Sequence, residues 1–475
     1  MKRFWLVLLS LGLIMAFSAS AFAVDVKLSG DIDFAGLYLN KTTLNDSRAS
    51  YSGGPTYDRD NPSTAFFYQR LRFGADFIVA PCLKLVTQFD AMDRIWGGAR
   101  GGDFASYGLS ENTGGTAGTR AESQNFVMNL AYVEYTSPIG LFKVGYQKDW
   151  SWGTVFGDRS NGMPAGQITY IVPVGPVVLI ANYAKQYDES YSAVTSSSVT
   201  DSDMDSYRLA AIYKFKDSEV GALFNWTRNA TNKSGSPGSL MNAYNILPYF
   251  KATIGPVAIQ GELNYGFGDA AKWEDGGFLV GPGVYYPDVT LSTLSVFLDA
   301  TVNLGMVYVG GSFAYVSGDD PGTTNKIEGG VATGNTGGLD WNPCLIMFNT
   351  DLEYWAGDIY GHSDSVLNGE MANAWFFQGR VGVKPIPALD IMGSVSFATA
   401  DKKPDPKGYD ITYGNGNYGV EIDVTGTYKI TNNLSYMLCV GYLFTGDYFK
   451  GYDYAGQNYK IVDDYMLINK LVLSF

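Results

Sequence analysis

Beyond Val24 the chain repeats one pattern, stretches of about 10–15 residues in which apolar residues alternate with polar or small ones. Lys27, Ser29, Asp31 and Asp33 share one face of such a stretch, and Leu28, Gly30, Ile32 and Phe34 the other. Leu83, Leu85, Thr87, Phe89 and Ala91 oppose Lys84, Val86, Gln88 and Asp90. Val420, Ile422, Val424, Gly426 and Tyr428 oppose Glu421, Asp423, Thr425, Thr427 and Lys429. Period two belongs to strands, because successive side chains leave opposite faces of a sheet. Helical periodicity is scarce, and no run of about 20 apolar residues follows residue 23, which excludes a bundle of membrane-crossing helices.

A large soluble β-protein would share this alternation, and the connections separate the two cases. Strands are expected near 24–40, 64–80, 83–94, 122–136, 140–152, 165–173, 176–187, 203–215 and 218–228. They continue near 241–254, 257–268, 289–304, 306–317, 373–384, 387–400, 416–429, 433–448 and 464–475. That is about eighteen strands, with sixteen as the alternative, and Leu345–Trp355 adds either a hairpin or a loop helix. Pro81-Cys82, Ser137-Pro138-Ile139, Val174-Gly175, Lys216-Asp217, Gly255-Pro256, Gly305 and Pro385-Ile386 are tight turns. Between them lie longer stretches rich in Gly, Ser, Asn and Asp, such as 95–121, 188–202, 269–288 and 318–372. Short turns on one rim and long loops on the other are the layout of a transmembrane antiparallel β-barrel, all-β, with its apolar face to lipid. Closure leaves no sheet edge and no unpaired backbone group in the bilayer.

The first 23 residues read as an export signal. Lys2 and Arg3 precede the apolar run Phe4–Phe17, and Ala21-Phe22-Ala23 has the small-residue pattern of a cleavage site. The expected division is 1–23 as signal peptide and 24–475 as one barrel domain.

Composition removes other functions. A net charge of −14 and a pI near 4.6 make the chain a poor nucleic-acid binder. One histidine cannot build a site of several imidazoles, and no C-x-x-C-H attaches a haem. Cys82, Cys344 and Cys439 are scattered and odd in number, so unpaired thiols are expected. Gly414-Asn415-Gly416-Asn417-Tyr418-Gly419 matches a dinucleotide fingerprint, but a strand follows it where a helix is needed. Asp201, Asp203 and Asp205 open like a calcium loop, yet Ser206 and Ile212 occupy the positions of its glycine and its bidentate glutamate. His362, beside Asp364, has no recognisable serine elbow to serve. The chain is therefore expected to be no enzyme and to carry no cofactor or metal.

In the last stretch Tyr465, Leu467, Asn469, Leu471, Leu473 and Phe475 share the outward face, ending on an aromatic residue. With the leader and the strand layout, this resembles Gram-negative outer-membrane proteins, and among them the large porins, of the deltaproteobacterial type. Asn469 is the one departure from the apolar face. The resemblance implies short periplasmic turns, long outer loops, an outer-membrane location amid lipid and lipopolysaccharide, and a homotrimer. It also implies that the barrel assembly machinery reads Phe475.

The function so implied is passive diffusion of ions and small hydrophilic solutes. The alternatives are a substrate-selective channel, or a barrel scaffold for electron-transfer cytochromes. The polar faces supply the candidate wall: acidic Asp31, Asp33, Asp76, Asp90, Asp149, Glu262, Asp299, Glu421 and Asp423, with basic Lys27, Arg70, Arg72, Lys84, Lys143, Arg208, Lys214, Arg380 and Lys384. Arg70 and Arg72 share a face with Tyr68 and are expected to stack as a basic ladder. Acid in the loops, such as Asp319-Asp320 and Asp463-Asp464, would concentrate cations at the mouth, less so in salt. The third outer loop, Gly153–Pro164, is expected to fold inward on Gly153, Gly157 and Gly162 and set Asp158 and Arg159 across the lumen. The 318–372 loop is the other candidate for filling it.

Overall fold

Arg208 and Leu209 are neighbours in sequence with opposite surroundings: Leu209 is 62% exposed and Arg208 7%. The same inversion, large apolar side chains outward and polar ones inward, recurs from strand to strand, with Val144, Ile168, Leu298, Val381, Val395 and Val424 all exposed. In water such a surface would be unfavourable, and in lipid it is the matched one. The fold that presents it is a closed barrel.

The computed structural model describes residues 24–44, 63–96, 126–148, 151–157, 164–188, 202–233, 238–274, 278–281, 284–330, 340–361, 366–403, 415–450 and 461–475. The strands are β1 (Asp25–Leu39), β2 (Thr64–Ala80), β3 (Leu83–Ile95), β4 (Phe126–Ser137), β5 (Gly140–Gln147), β6 (Ala165–Val174) and β7 (Val177–Asp188). Next come β8 (Asp203–Phe215), β9 (Ser218–Asn229), β10 (Ser239–Ile254), β11 (Val257–Trp273), β12 (Phe278–Gly281), β13 (Val284–Tyr286) and β14 (Val289–Leu304). The last are β15 (Val307–Val316), β16 (Lys326–Ile327), β17 (Ala374–Ile386), β18 (Leu389–Ala400), β19 (Asn417–Lys429), β20 (Leu434–Thr445) and β21 (Asp464–Ser474). Helix α1 (Thr350–Ala356) interrupts the longest loop. Its N-cap Asn349 accepts the Leu352 N–H at 2.9 Å, and Gly357 closes it at φ 83.

Eighteen of these strands form the wall, each antiparallel to its neighbours in sequence order; β12, β13 and β16 belong to the long-loop rim. Closure comes from β1, which pairs with β2 on one side and with β21 on the other, Asp31 opposite Ser474 and Leu39 opposite Met466. Phe475 and Gly30 exchange both backbone hydrogen bonds at 2.9 Å across that seam. The tight turns expected from sequence lie on one rim with the two strand termini, except that Pro385-Ile386 ends β17 and the turn there is Pro387-Ala388; the long loops lie on the other rim. Outward near the loop rim, Tyr183, Tyr207, Trp226, Tyr244 and Phe267 form a row with ring centroids 4.9–6.4 Å apart, an interfacial girdle.

The inward faces change character along their length. On β1, Asp31 and Asp33 are followed on the same face by Ala35, Leu37 and Leu39, each at most 4% exposed. These belong to a core inside the barrel, with Phe297, Val316, Phe376 and Leu443 from other strands and Ile346, Met347, Leu352, Trp355, Ile359 and Met371 from the 317–373 connection. The described part of that connection therefore packs inside the barrel on the long-loop side. Leu345–Trp355, left open between hairpin and helix, contains the start of α1.

A bulge in β3 changes one face that the sequence suggests. Met92 sits at φ 53 and the β2–β3 register shifts between Gln69 and Leu71. The extra residue reverses the phase, so that Asp93, out of step with Lys84, Gln88 and Asp90, also reaches the interior.

Candidate functional site

The inward wall divides into a charged sector and an amide sector. On β2 and β3, Arg70 pairs with Asp93 at 3.5 Å, and Arg72 grips Asp90 through two bonds, at 2.9 and 3.3 Å. Lys84 lies 3.6 Å from Asp76 and 3.1 Å from Glu134, and Lys143 lies 3.4 Å from the same Glu134. Arg380 contacts Asp299 at 2.7 Å and donates to Ser312 and Thr301 at 2.8 and 2.5 Å. Lys470 closes the seam onto Asp33 at 2.9 Å. Arg70 and Arg72 do share a face, but as members of alternating acid–base pairs. A bare basic ladder would have repelled itself, and the facing carboxylates remove that cost.

From β6 to β11 a row of amides runs along the wall, joined by Arg208 on β8. Asn182 donates to Gln167 and Thr169 at 2.9 and 2.8 Å. Arg208 donates to Asn182 and Asn225 at 3.3 Å, and weaker contacts of 3.5 and 3.4 Å carry the row on through Asn245 to Asn264. Each of these amides faces inward on its own strand and is buried. Sequence inspection passed over this row because each amide is unremarkable alone. The available signal was that Gln167, Asn182, Asn225, Asn245 and Asn264 all fall on the inward phase of β6, β7, β9, β10 and β11, with Arg208 at the matching place on β8.

Two loops enter the interior, each held by one glutamate of the wall. The Glu262 carboxylate, on β11, accepts the backbone N–H groups of Thr154, Val155 and Phe156, that of Val155 at 3.1 Å. Trp152 donates its indole N–H to the Leu247 carbonyl at 2.8 Å and meets Tyr249 edge-on at 5.2 Å. Gly153, at φ 76, turns the chain where a Cβ would collide with the Glu262 carboxylate. The described part of the third loop, 151–157, thus folds inward. Asp158 and Arg159 lie outside the described residues, as do Asp149 and His362.

The second anchor is Glu421 on β19, which accepts the N–H groups of Ile346 at 2.7 Å and Met347 at 2.8 Å. Glu421 and the neighbouring Asp423 were expected as water-facing wall residues. They do face inward, but the 340–347 segment covers them, leaving 0% and 4% exposed. Three successive backbone donors, Leu345 to Asp423 and Ile346 and Met347 to Glu421, and an apolar turn favour that position over water. Further along the loop, Trp355 stacks on Tyr68 at 4.1 Å, Tyr354 donates to Asp93 at 2.9 Å, and the Arg70 guanidinium lies 5.1 Å from the Tyr354 ring. The two loops touch where Phe156 meets Trp341 at 5.7 Å.

Two loop groups titrate away from their ordinary values. Burial, with the negative charges of Asp358 and Glu370, pushes Glu353 on α1 up to about 7. Burial raises the Cys344 thiol. All three cysteines are free.

The arrangement offers transverse charge pairs, a row of amides and two inward loops. Such a surface can orient and sieve ions and polar solutes.

No protein-family model matches the chain, and no curated protein does. Solved structures do match over most of its length. The outer membrane protein OpdK from Pseudomonas aeruginosa is 11% identical, covering 94% of this chain and 99% of its own, with a TM-score of 0.49. An anion-selective porin from Comamonas acidovorans is 12% identical over 95% and 99%, with a TM-score of 0.42. Salmonella typhi OmpF, in complex with daunomycin, is 11% identical over 95% and 98%, also at 0.42.

Proposed function

We propose that this chain is an outer-membrane channel through which ions and small hydrophilic solutes diffuse passively. The observation that carries the reading is a closed wall of eighteen strands, apolar outward and charged or amide-bearing inward. Barrels of about eight strands are filled by their own side chains, whereas about 16–18 leave room for water. Here part of that room goes to the 151–157 and 340–373 loops, which act as a sieve. Asp76, Lys84, Lys143 and Glu134 lie towards the turn rim, and Asp158 and Arg159 are assigned to the narrowing made by the third loop.

The same reading takes residues 1–23 as a leader removed on export and Phe475 as the residue read during barrel assembly. It places the apolar belt in lipid and lipopolysaccharide, takes the working unit as a homotrimer, and assigns no catalytic activity. The kinship with deltaproteobacterial porins rests on sequence resemblance.

Reconstitution in a planar bilayer under a salt gradient tests the function. Steady ohmic openings with a cation-favouring reversal potential are expected; a folded chain that conducts nothing would refute the channel. Arg159→Glu should move the reversal potential further than Lys233→Glu in an outer loop, and equal shifts would remove Arg159 from the narrowing.

A substrate-selective channel is the second reading, favoured by the amide row from Gln167 to Asn264, which suits a polar uncharged solute. Saturable flux would select it over simple diffusion.

A further inference from the structure

Where the longest loop meets the wall, three donors of different kinds converge. Cys344 Sγ and one carboxylate oxygen each from Glu421 and Asp423 lie within 4.8 Å of one another. All three residues are buried, at 3%, 0% and 4% exposure.

The loop anchor described above accounts for only part of this cluster. Glu421 uses one lone pair of each oxygen on Ile346 and Met347. A carboxylate has about four such lone pairs, so both oxygens can still face an ion. Asp423 Oδ1 is buried without a hydrogen-bond partner. It occupies the space above Gly441, where a Cβ would meet it at 2.7 Å and the Leu345 side chain at 3.0 Å. Neither carboxylate has a lysine or arginine among its described interactions, unlike the charged wall residues paired above. The two carboxyl groups hydrogen-bond each other, and Asp423 also accepts the Leu345 N–H and pairs with Ser394; one oxygen stays orphaned, and the pair lies beside a thiol with no basic side chain among its described interactions.

We propose that Cys344, Glu421 and Asp423 form a binding site for a borderline divalent transition metal, of which Zn²⁺ is the type, tying the inward loop to the barrel wall. Carboxylates alone would suit Mg²⁺ or Ca²⁺, and the sulfur shifts the preference to Zn²⁺ or Cd²⁺. Zn²⁺ takes cysteine sulfur and Asp or Glu oxygen, and with three protein ligands its fourth position goes to water or a neighbouring hydroxyl. Binding releases to solvent the Cys344 thiol proton and the proton that the Glu421–Asp423 pair shares, so affinity rises with pH. Because Cys344 belongs to the loop and both carboxylates to β19, the ion joins two parts of the chain 77 and 79 positions apart.

The test uses the full chain, stripped with a chelator and refolded into detergent with or without metal, so that burial does not block access. Cd²⁺ is read by its thiolate charge-transfer absorption, and Zn²⁺ by equilibrium dialysis. One ion per folded chain is expected, with the cadmium band present. Cys344→Ser should abolish the band and weaken Zn²⁺ binding at least about tenfold. Asp423→Asn should weaken Zn²⁺ binding while retaining the band at saturating Cd²⁺, and Cys82→Ser and Cys439→Ser should leave both readouts unchanged. Heat-modifiable migration on a gel reports folding of every variant. A folded wild-type chain that takes up no Cd²⁺, or a band that survives Cys344→Ser or disappears with Cys439→Ser, would overturn the site.

Discussion

Glu262→Ala should release the third loop from the interior of the barrel. In the native chain one buried carboxylate serves three consecutive backbone donors, those of Thr154, Val155 and Phe156. A buried donor left unmade costs about 1–3 kcal/mol, so three of them cost about 3–9 kcal/mol if the loop stays in place. Opposing its release is the burial of Phe156, Val155 and Trp152, at 0%, 9% and 7% exposed, which together contribute about 5–9 kcal/mol. Trp152 adds one hydrogen bond, about 1 kcal/mol net. The unpaired donors thus offset much or all of the packing, and each 1.4 kcal/mol moves the in–out equilibrium tenfold. Single-channel recording should therefore show larger, noisier openings, and limited proteolysis should cut near 151–157 in the variant only. Glu262→Gln keeps one acceptor oxygen but turns an NH₂ toward the same donors, and should fall between the two. Heat-modifiable migration separates loop release from a barrel that fails to form. A folded Glu262→Ala variant with native conductance and native protease resistance would show that apolar packing alone holds the loop.

Three further outcomes follow from the geometry. Arg380→Met leaves Asp299 with only the Ser312 hydroxyl at 2.7 Å, so the wall gains net negative charge and the reversal potential should shift toward cations; no shift would mean that the pair lies off the conduction path. Deleting Phe475 removes both backbone bonds to Gly30 at the β1–β21 seam and should lower the heat-modifiable fraction in the outer membrane without affecting export; unchanged assembly would deny the residue that role. Glu353 holds its proton up to about pH 7 when folded and to about 4.5 when unfolded, so the folded state binds more protons between those values. Its contribution to stability is therefore greatest below pH 4.5, falls as pH rises to about 7, and is flat beyond. Proteolysis of the 340–361 segment across that window should show the loss, and Glu353→Gln should flatten the profile; an unchanged slope in that variant would assign the effect elsewhere.

The barrel was legible in the sequence because its cause is local. Period two, a turn of two to four residues after every second strand and polar loops between are properties of neighbouring residues, and all eighteen expected stretches overlap a wall strand. Closure could be inferred too, since a sheet in lipid cannot leave an edge. The third loop's inward course was readable in part from Gly153, whose turn needs the positive φ that it adopts.

What tertiary structure alone decided is which polar residues meet water. Arg70 looked like half of a basic ladder until the bulge at Met92 brought Asp93 inward, a phase change that no alternation count contains. Leu37 and Leu39 lie on the same face as Asp31 and Asp33, and alternation says nothing of the loop from a distant part of the chain that buries them. Glu262 and Glu421 are ordinary members of polar faces by spacing. Their roles come from backbone donors more than 70 positions away, at Ile346 and Met347 for Glu421 and more than 100 away, at Thr154 to Phe156, for Glu262. Strand periodicity is written in adjacent side chains, whereas the filling of the lumen depends on contacts between segments that only barrel closure brings together.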